Sequence, residues 1–186
     1  MAALGKELRQ AIMAMPTAEK DKLLLKLVAR DPALCERLTF ELVDENTTLE
    51  QRREEIREMI NGLMAQKPYS PGYLMMDMRT INARITNHVK ITKDKYGEVE
   101  LTLLLVNSLF ERQPDAIRTY SQRNDTLAEY VAKRTQFMLE KVGKMHSDLH
   151  LEFEESIHQL LQRVHANAPG RYAKALNLPL TWEAGH

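Results

Sequence analysis

Residues 125–166 read DTLAEYVAKRTQFMLEKVGKMHSDLHLEFEESIHQLLQRVHA, and this stretch decides the fold class. Leu127, Val131, Met138, Val142, Met145, Leu149, Phe153, Ile157, Leu160 and Val164 recur at helical spacing across almost the whole span. That period lays them along one stripe of a 3.6-residue helix, whereas a half-buried strand requires strict alternation. As a single rod the stretch would run about 63 Å at 1.5 Å per residue, too long for a domain of this size unless it projects or bends. Gly143 offers a break and Ser147-Asp148 a fresh cap, so the spacing predicts two consecutive helices. The heptad kept from Val131 to Leu149 shifts phase before Leu160, which argues against a long coiled coil. Whether the stripe buries itself within one chain or pairs with a second copy stays open.

Beyond the stripe, Ala168-Pro169-Gly170 stops the last helix. The segment 168–186 then carries a short helical turn at Tyr172 to Leu176, followed by Leu178, Pro179, Leu180 and the only tryptophan, Trp182. Its apolar content predicts a tail that docks on its own core. On the N-terminal side, Pro114-Asp115 closes a Leu-rich run that includes Leu103-Leu104-Leu105-Val106 and Leu109-Phe110. Upstream of that run the pattern is ambiguous. Val89-Lys90-Ile91 and Val99-Glu100-Leu101-Thr102-Leu103 alternate around Lys93-Asp94-Lys95-Tyr96-Gly97, as a β-hairpin would, yet Met78, Ile81, Ile85 and Val89 keep helical spacing. Helix is the preferred reading because the run is rich in leucine rather than in β-branched residues.

Lys67-Pro68-Tyr69-Ser70-Pro71-Gly72 is the clearest internal joint, since two prolines and a glycine cannot continue a helix. Ahead of it the chain spells further helices: about Leu4 to Met15, one capped by Thr17, one opened by Asp31-Pro32, and one begun by the capping box Thr47-Thr48-Leu49-Glu50. Their apolar faces are Leu23, Leu24, Leu27 and Val28, then Leu34, Leu38, Leu42 and Val43, then Ile56, Met59, Ile60 and Leu63. Short turns between helices imply antiparallel neighbours. The expected fold is all-α, about seven to nine helices, with antiparallel pairs forming a bundle or a short curved α-solenoid. A single domain spanning 1–186 is expected, jointed at 67–72.

Composition narrows the class. Lys plus Arg total 26 against 26 Asp plus Glu, so no global charge excess argues for nucleic acid or for a cation-binding protein. One cysteine, Cys35, sits in a helical pattern and reads as a small core or boundary residue in a reducing compartment. Met1 to Gln10 lacks the apolar run of a signal peptide, and nowhere is there a membrane-spanning apolar stretch, so the expectation is a cytoplasmic protein.

Ala14-Met15-Pro16-Thr17-Ala18-Glu19-Lys20 through Asp31-Pro32, and Ile81-Asn82-Ala83-Arg84-Ile85 through Gly97-Glu98-Val99-Glu100-Leu101 on to Phe110, resemble a group of uncharacterised bacterial all-helical proteins. The resemblance covers about two-thirds of the chain and lies in helix order and length. It implies helix rather than hairpin near Gly97, and it implies no activity and no functional residues.

Three constellations bear on function. His146, His150, Glu154 and His158 stand four apart, with Glu155 three residues before His158, and adjacent members of such a ladder can share a divalent metal. All of them cannot, because each step turns the position by about 40° and advances it about 6 Å. They also border the apolar stripe, where His and Glu commonly form a solvated edge. Arg79, Arg84, Lys90 and Lys93, with His88 among them, make a locally basic stretch that could face nucleic acid or a partner. The Met75-Met76-Asp77-Met78 cluster suits either core filling or an adaptable surface. No phosphate-binding glycine loop, nucleophile elbow or His-Glu-x-x-His is present. The chain therefore reads as a protein-interaction or scaffold module without catalysis and without a cofactor, with an unidentified protein partner and no membrane. A metal-dependent helical-bundle enzyme and a nucleic-acid-binding helical repeat protein are the alternatives.

Overall fold

The computed structural model describes residues 5–44 and 47–182. Every regular element among them is helical. They are α1 (Lys6–Ala14), α2 (Thr17–Val28), α3 (Pro32–Leu42), α4 (Leu49–Ala65), α5 (Pro71–Thr92), α6 (Lys95–Arg112), α7 (Pro114–Ile117), α8 (Asp125–Val142), α9 (Ser147–Ala166) and α10 (Gly170–Ala175). The tally exceeds the expected range because α7 and α10 are only one or two turns long. No helix among the described residues is long and apolar enough to cross a membrane.

The chain forms two compact units, Met1–Asn46 and Thr47–His186, where the sequence reading expected one domain jointed at 67–72. The 67–72 segment is instead a turn inside the second unit. There Ser70 accepts from the Tyr73 backbone N–H at 3.3 Å and Pro71 opens α5.

In the first unit, Asp31 caps α3 by accepting from the backbone N–H groups of Ala33 and Leu34, both at 3.1 Å, with Pro32 at the first helical position. Thr17 is not the cap of α2. Pro16 takes that place and Thr17 is already helical, because proline's fixed φ suits the entry to a helix. Among the described residues of this unit only Phe40 is buried. Three helices of 9, 12 and 11 residues have too little volume to enclose the apolar faces that the sequence marks out. Cys35, expected in or beside a core, is exposed for the same reason.

The second unit is built around α6, which packs against α4, α5, α8 and α9. Val99, Leu101, Leu103, Leu105, Val106 and Leu109 are all buried, as are Thr102 and Ser108, so α6 is enclosed on nearly every side. A helix buried all round loses its amphipathic period, which is why this stretch also reads as alternation. The hairpin alternative is overturned. α5 ends at Thr92, Lys93 adopts a left-handed φ of 60°, and Asp94 starts α6 at once as its N-cap. α4 begins one residue later than the capping box implies, with Thr48 at the N-cap and its hydroxyl accepting from Arg52 at 3.4 Å.

The 125–166 stretch is two helices, α8 and α9, parted after Val142. Leu127, Val131, Met138, Val142, Phe153, Ile157, Leu160 and Val164 are buried, which sets the stripe on the core. His146, rather than Ser147, caps α9, its Nδ1 accepting from the Asp148 backbone N–H at 3.4 Å.

Past α9 the chain folds back. The Tyr172 hydroxyl donates to Asp125 at 2.6 Å, which fastens α10 to the start of α8 and pushes the phenol up to about 12. Leu178 is buried, His165 Nε2 donates to the Pro179 carbonyl at 3.0 Å, and the Trp182 ring meets His150 edge-on with centroids 5.9 Å apart. As the only tryptophan, Trp182 is a built-in probe of this docking. Leu178→Asp removes the anchor and is expected to shift tryptophan emission to longer wavelength without lowering helix content by circular dichroism. An unshifted emission would show that Leu178 does not hold the tail.

Candidate functional site

The feature of the molecule that ordinary folding does not account for is the apolar surface of α1, α2 and the end of α3. Leu23, Leu24, Leu25 and Leu27 are all exposed, so four of the twelve residues of α2 are leucines in contact with solvent. Leu23 and Leu27 stand one turn apart on one stripe, with Leu24 beside them, and Lys20, Lys22 and Lys26 lie on the same helix. Leu8 and Met13 of α1 are exposed as well, as are Leu42 and Val43 at the end of α3, at 71% and 74%. Fully covering one leucine yields about 1.5–3 kcal/mol relative to leaving it wet. A partner that covered two or three would gain enough to offset much of the entropic cost of association. Scattered single apolar residues on a surface mean little, whereas a concentration of this kind is uncommon on a folded unit.

The members of the histidine ladder end in different surroundings. His150 is buried under Trp182, and neither of its ring nitrogens has a hydrogen-bond partner. His146 is exposed and caps α9, with Nδ1 3.3 Å from an Asp148 carboxylate oxygen. Glu155 accepts from Gln159 at 2.6 Å, and His158 pairs with Gln162 at 2.8 Å. Glu154, Glu155 and His158 share an open depression with Leu151 and Trp182. Among the described residues no group of three or more His, Cys, Asp or Glu is placed to hold a metal ion.

The basic stretch is also divided. Arg84, Lys90 and Lys93 are exposed on α5 and the turn after it, and Lys93 Nζ donates to the Lys90 carbonyl at 2.9 Å. Arg79 lies farther up α5, over the ring of Tyr130 at 5.7 Å. His88 is buried and takes no part in an exposed face.

Instead, His88 belongs to an ionic cluster at the α5–α6 turn. Arg53 of α4 grips Asp94 through two parallel bonds, Nε to Oδ2 at 2.7 Å and a terminal nitrogen to Oδ1 at 2.8 Å. His88 Nε2 donates to Oδ2 at 2.9 Å and the Gly97 backbone N–H to Oδ1 at 2.9 Å. Burial alone would raise the Asp94 pKa, but the bonds from His88, Arg53 and Gly97 outweigh it and hold the carboxyl well below the usual range. One turn along α4, Arg57 joins Glu100 of α6 at 2.7 Å as well as Glu50 and Glu54. Each Asp94 oxygen accepts two donors, so the group is a brace between α4, α5 and α6 rather than a free acid or base. Nothing in the sequence exposed this cluster, because Arg53 and Asp94 stand 41 residues apart.

No protein family, curated protein or solved structure that the chain was compared with matches it.

Proposed function

We propose that this chain is a non-catalytic protein-interaction module whose N-terminal helices dock an apolar face of a helix on a partner protein. The observation that carries the reading is the run of exposed leucines on α2. A helical occupant suits it, because leucines one turn apart form the ridge that a facing helix accepts between its own side chains. The second unit supplies the folded support, read as antiparallel helix pairs around α6. Lysines on α2 favour an acidic border on the partner helix.

The competing readings rest on less. A divalent metal on His146, His150, Glu154, Glu155 and His158 would have to draw together an exposed cap residue, a histidine buried under Trp182 and the open group of Glu154, Glu155 and His158. Nucleic acid on Arg84, Lys90 and Lys93 has only exposed, flexible side chains to recommend it.

A photo-crosslinking amino acid placed at Leu24, with the more exposed Leu151 of α9 as control, tests the proposal. Capture of one protein through Leu24 and not through Leu151, followed by reconstitution from the two purified proteins, is the expected result. Adducts only to a second copy of the chain would identify self-association instead, and adducts only within the chain would refute an outside partner.

A further inference from the structure

A separate cleft lies between α5 and α8, about 420 Å³ in volume, lined by Arg79, Asn82, Glu129, Tyr130, Lys133 and Arg134 with Met75 at its wall. The guanidinium groups of Arg79 and Arg134 both lie against the ring of Tyr130, 5.7 Å and 5.8 Å from its centroid. Arg37, Arg53, Arg57 and Arg163 are each matched with a carboxylate, of Glu41, Asp94, Glu100 and Glu111 respectively. Arg79 and Arg134 have no such carboxylate among the described residues. The one acid of the cleft, Glu129, is taken by Lys133 at 2.7 Å. Arg134 Nε is shut off from water and has no hydrogen-bond acceptor. That atom is closed to a ligand as it is to water, so an anion entering the cleft would be met by the parts of Arg79 and Arg134 that line it.

We propose that this cleft binds a small phosphate-bearing ligand, held by Arg79 and Arg134. Arginine presents its donors as a planar fork that matches two oxygens of one phosphate, and two arginines line this one cleft. Asn82 adds an amide that can donate to a third oxygen. A tetrahedral dianion uses that many donors, whereas a single carboxylate would leave part of them idle. Arg79 and Arg134 lie against the ring of Tyr130, and Arg134 also over Phe137 at 4.8 Å, contacts that limit their freedom before the ligand arrives and reduce the ordering cost of binding. The cleft lies wholly within the second unit and is independent of the leucines of α2.

Calorimetry on the full chain in a low-salt buffer free of phosphate tests this, with inorganic phosphate and then glycerol phosphate as probes and citrate as the carboxylate comparison. Saturable one-to-one binding with a Kd below about 1 mM is expected, tighter than citrate. Arg79→Gln and Arg134→Gln should each weaken it by about tenfold or more. Arg134→Lys should weaken it too, since the charge remains and the fork is lost. Tighter binding of glycerol phosphate would point to an organic phosphate, and tighter binding of the inorganic ion to free phosphate; either supports the site. No saturable heat up to about 10 mM phosphate would overturn it. So would an affinity that neither glutamine variant changes, citrate bound as tightly as phosphate, or a DNA duplex that binds where both phosphates fail. Should Arg134→Gln fail to fold by its melting curve, Arg79→Gln, at an exposed position, carries the test alone.

Discussion

Asp94→Ala lowers the stability of the second unit by about 3–5 kcal/mol, because removing one member of a buried ion pair strands its partners. The substitution leaves Arg53 without its bidentate acceptor, His88 Nε2 without any, and the first turn of α6 without its cap. A fall in melting midpoint of about 10–17 °C follows for a unit of this size. Asp94→Asn keeps one cap acceptor and the side-chain volume, and should cost less. The pH dependence has a definite sign. The native pKa of Asp94 lies below its unfolded value, so its contribution is complete above the ordinary carboxylate range near pH 4 and is lost as pH falls toward the native value. Thermal melts of the wild type and Asp94→Ala between about pH 7 and pH 3 should therefore draw closer on the acid side without meeting. Parallel curves, or a loss under about 1 kcal/mol, would show that the cluster does not brace the helices.

Gly97→Ala reverses the usual effect of that substitution. In an exposed helix interior, alanine for glycine gains about 1 kcal/mol. At Gly97, in the first turn of α6, an added Cβ would overlap the Asp94 carboxylate and come within 2.9 Å of Arg53 Nε. Either the ion pair opens or the turn shifts. The expected cost is about 2–3 kcal/mol by urea unfolding, combining overpacking with a weakened cluster. Gly62→Ala, where a Cβ would meet nothing within 4 Å, is the control and should be neutral or stabilising. Equal responses at the two positions would mean that the close approach is relieved at no cost.

Much of the fold was legible because it depends on local period. The stripe from Leu127 to Val164 lies on the core as its spacing implies, and the interruption near Gly143 follows from chain length as much as from the glycine. Legibility failed where burial erased the period, as in α6, and where it depended on volume. Leu23, Leu24 and Leu27 form an apolar face in sequence, but no local rule states whether a unit is large enough to cover it. The ladder shows the same limit. His146 and His150 share a spacing, yet one ends exposed as the extended cap before α9 and the other inside α9 under Trp182, because His146 lies outside the helix whose period the spacing assumes. Arg53, Asp94 and Arg134 gave no signal, because charges on amphipathic helices are alike in sequence whether they meet solvent, an ion partner or a cleft.

The proposed docking depends on the leucines of α2. Its most direct test is the affinity of the purified partner captured through Leu24, measured by calorimetry for the wild type and for Leu24→Glu with Leu27→Glu. Both positions are exposed, at 57% and 52%, so the charges should leave the melting curve unchanged. A loss of affinity of roughly hundredfold or more is the result expected of an apolar docking surface. An affinity that survives both charges would contradict it.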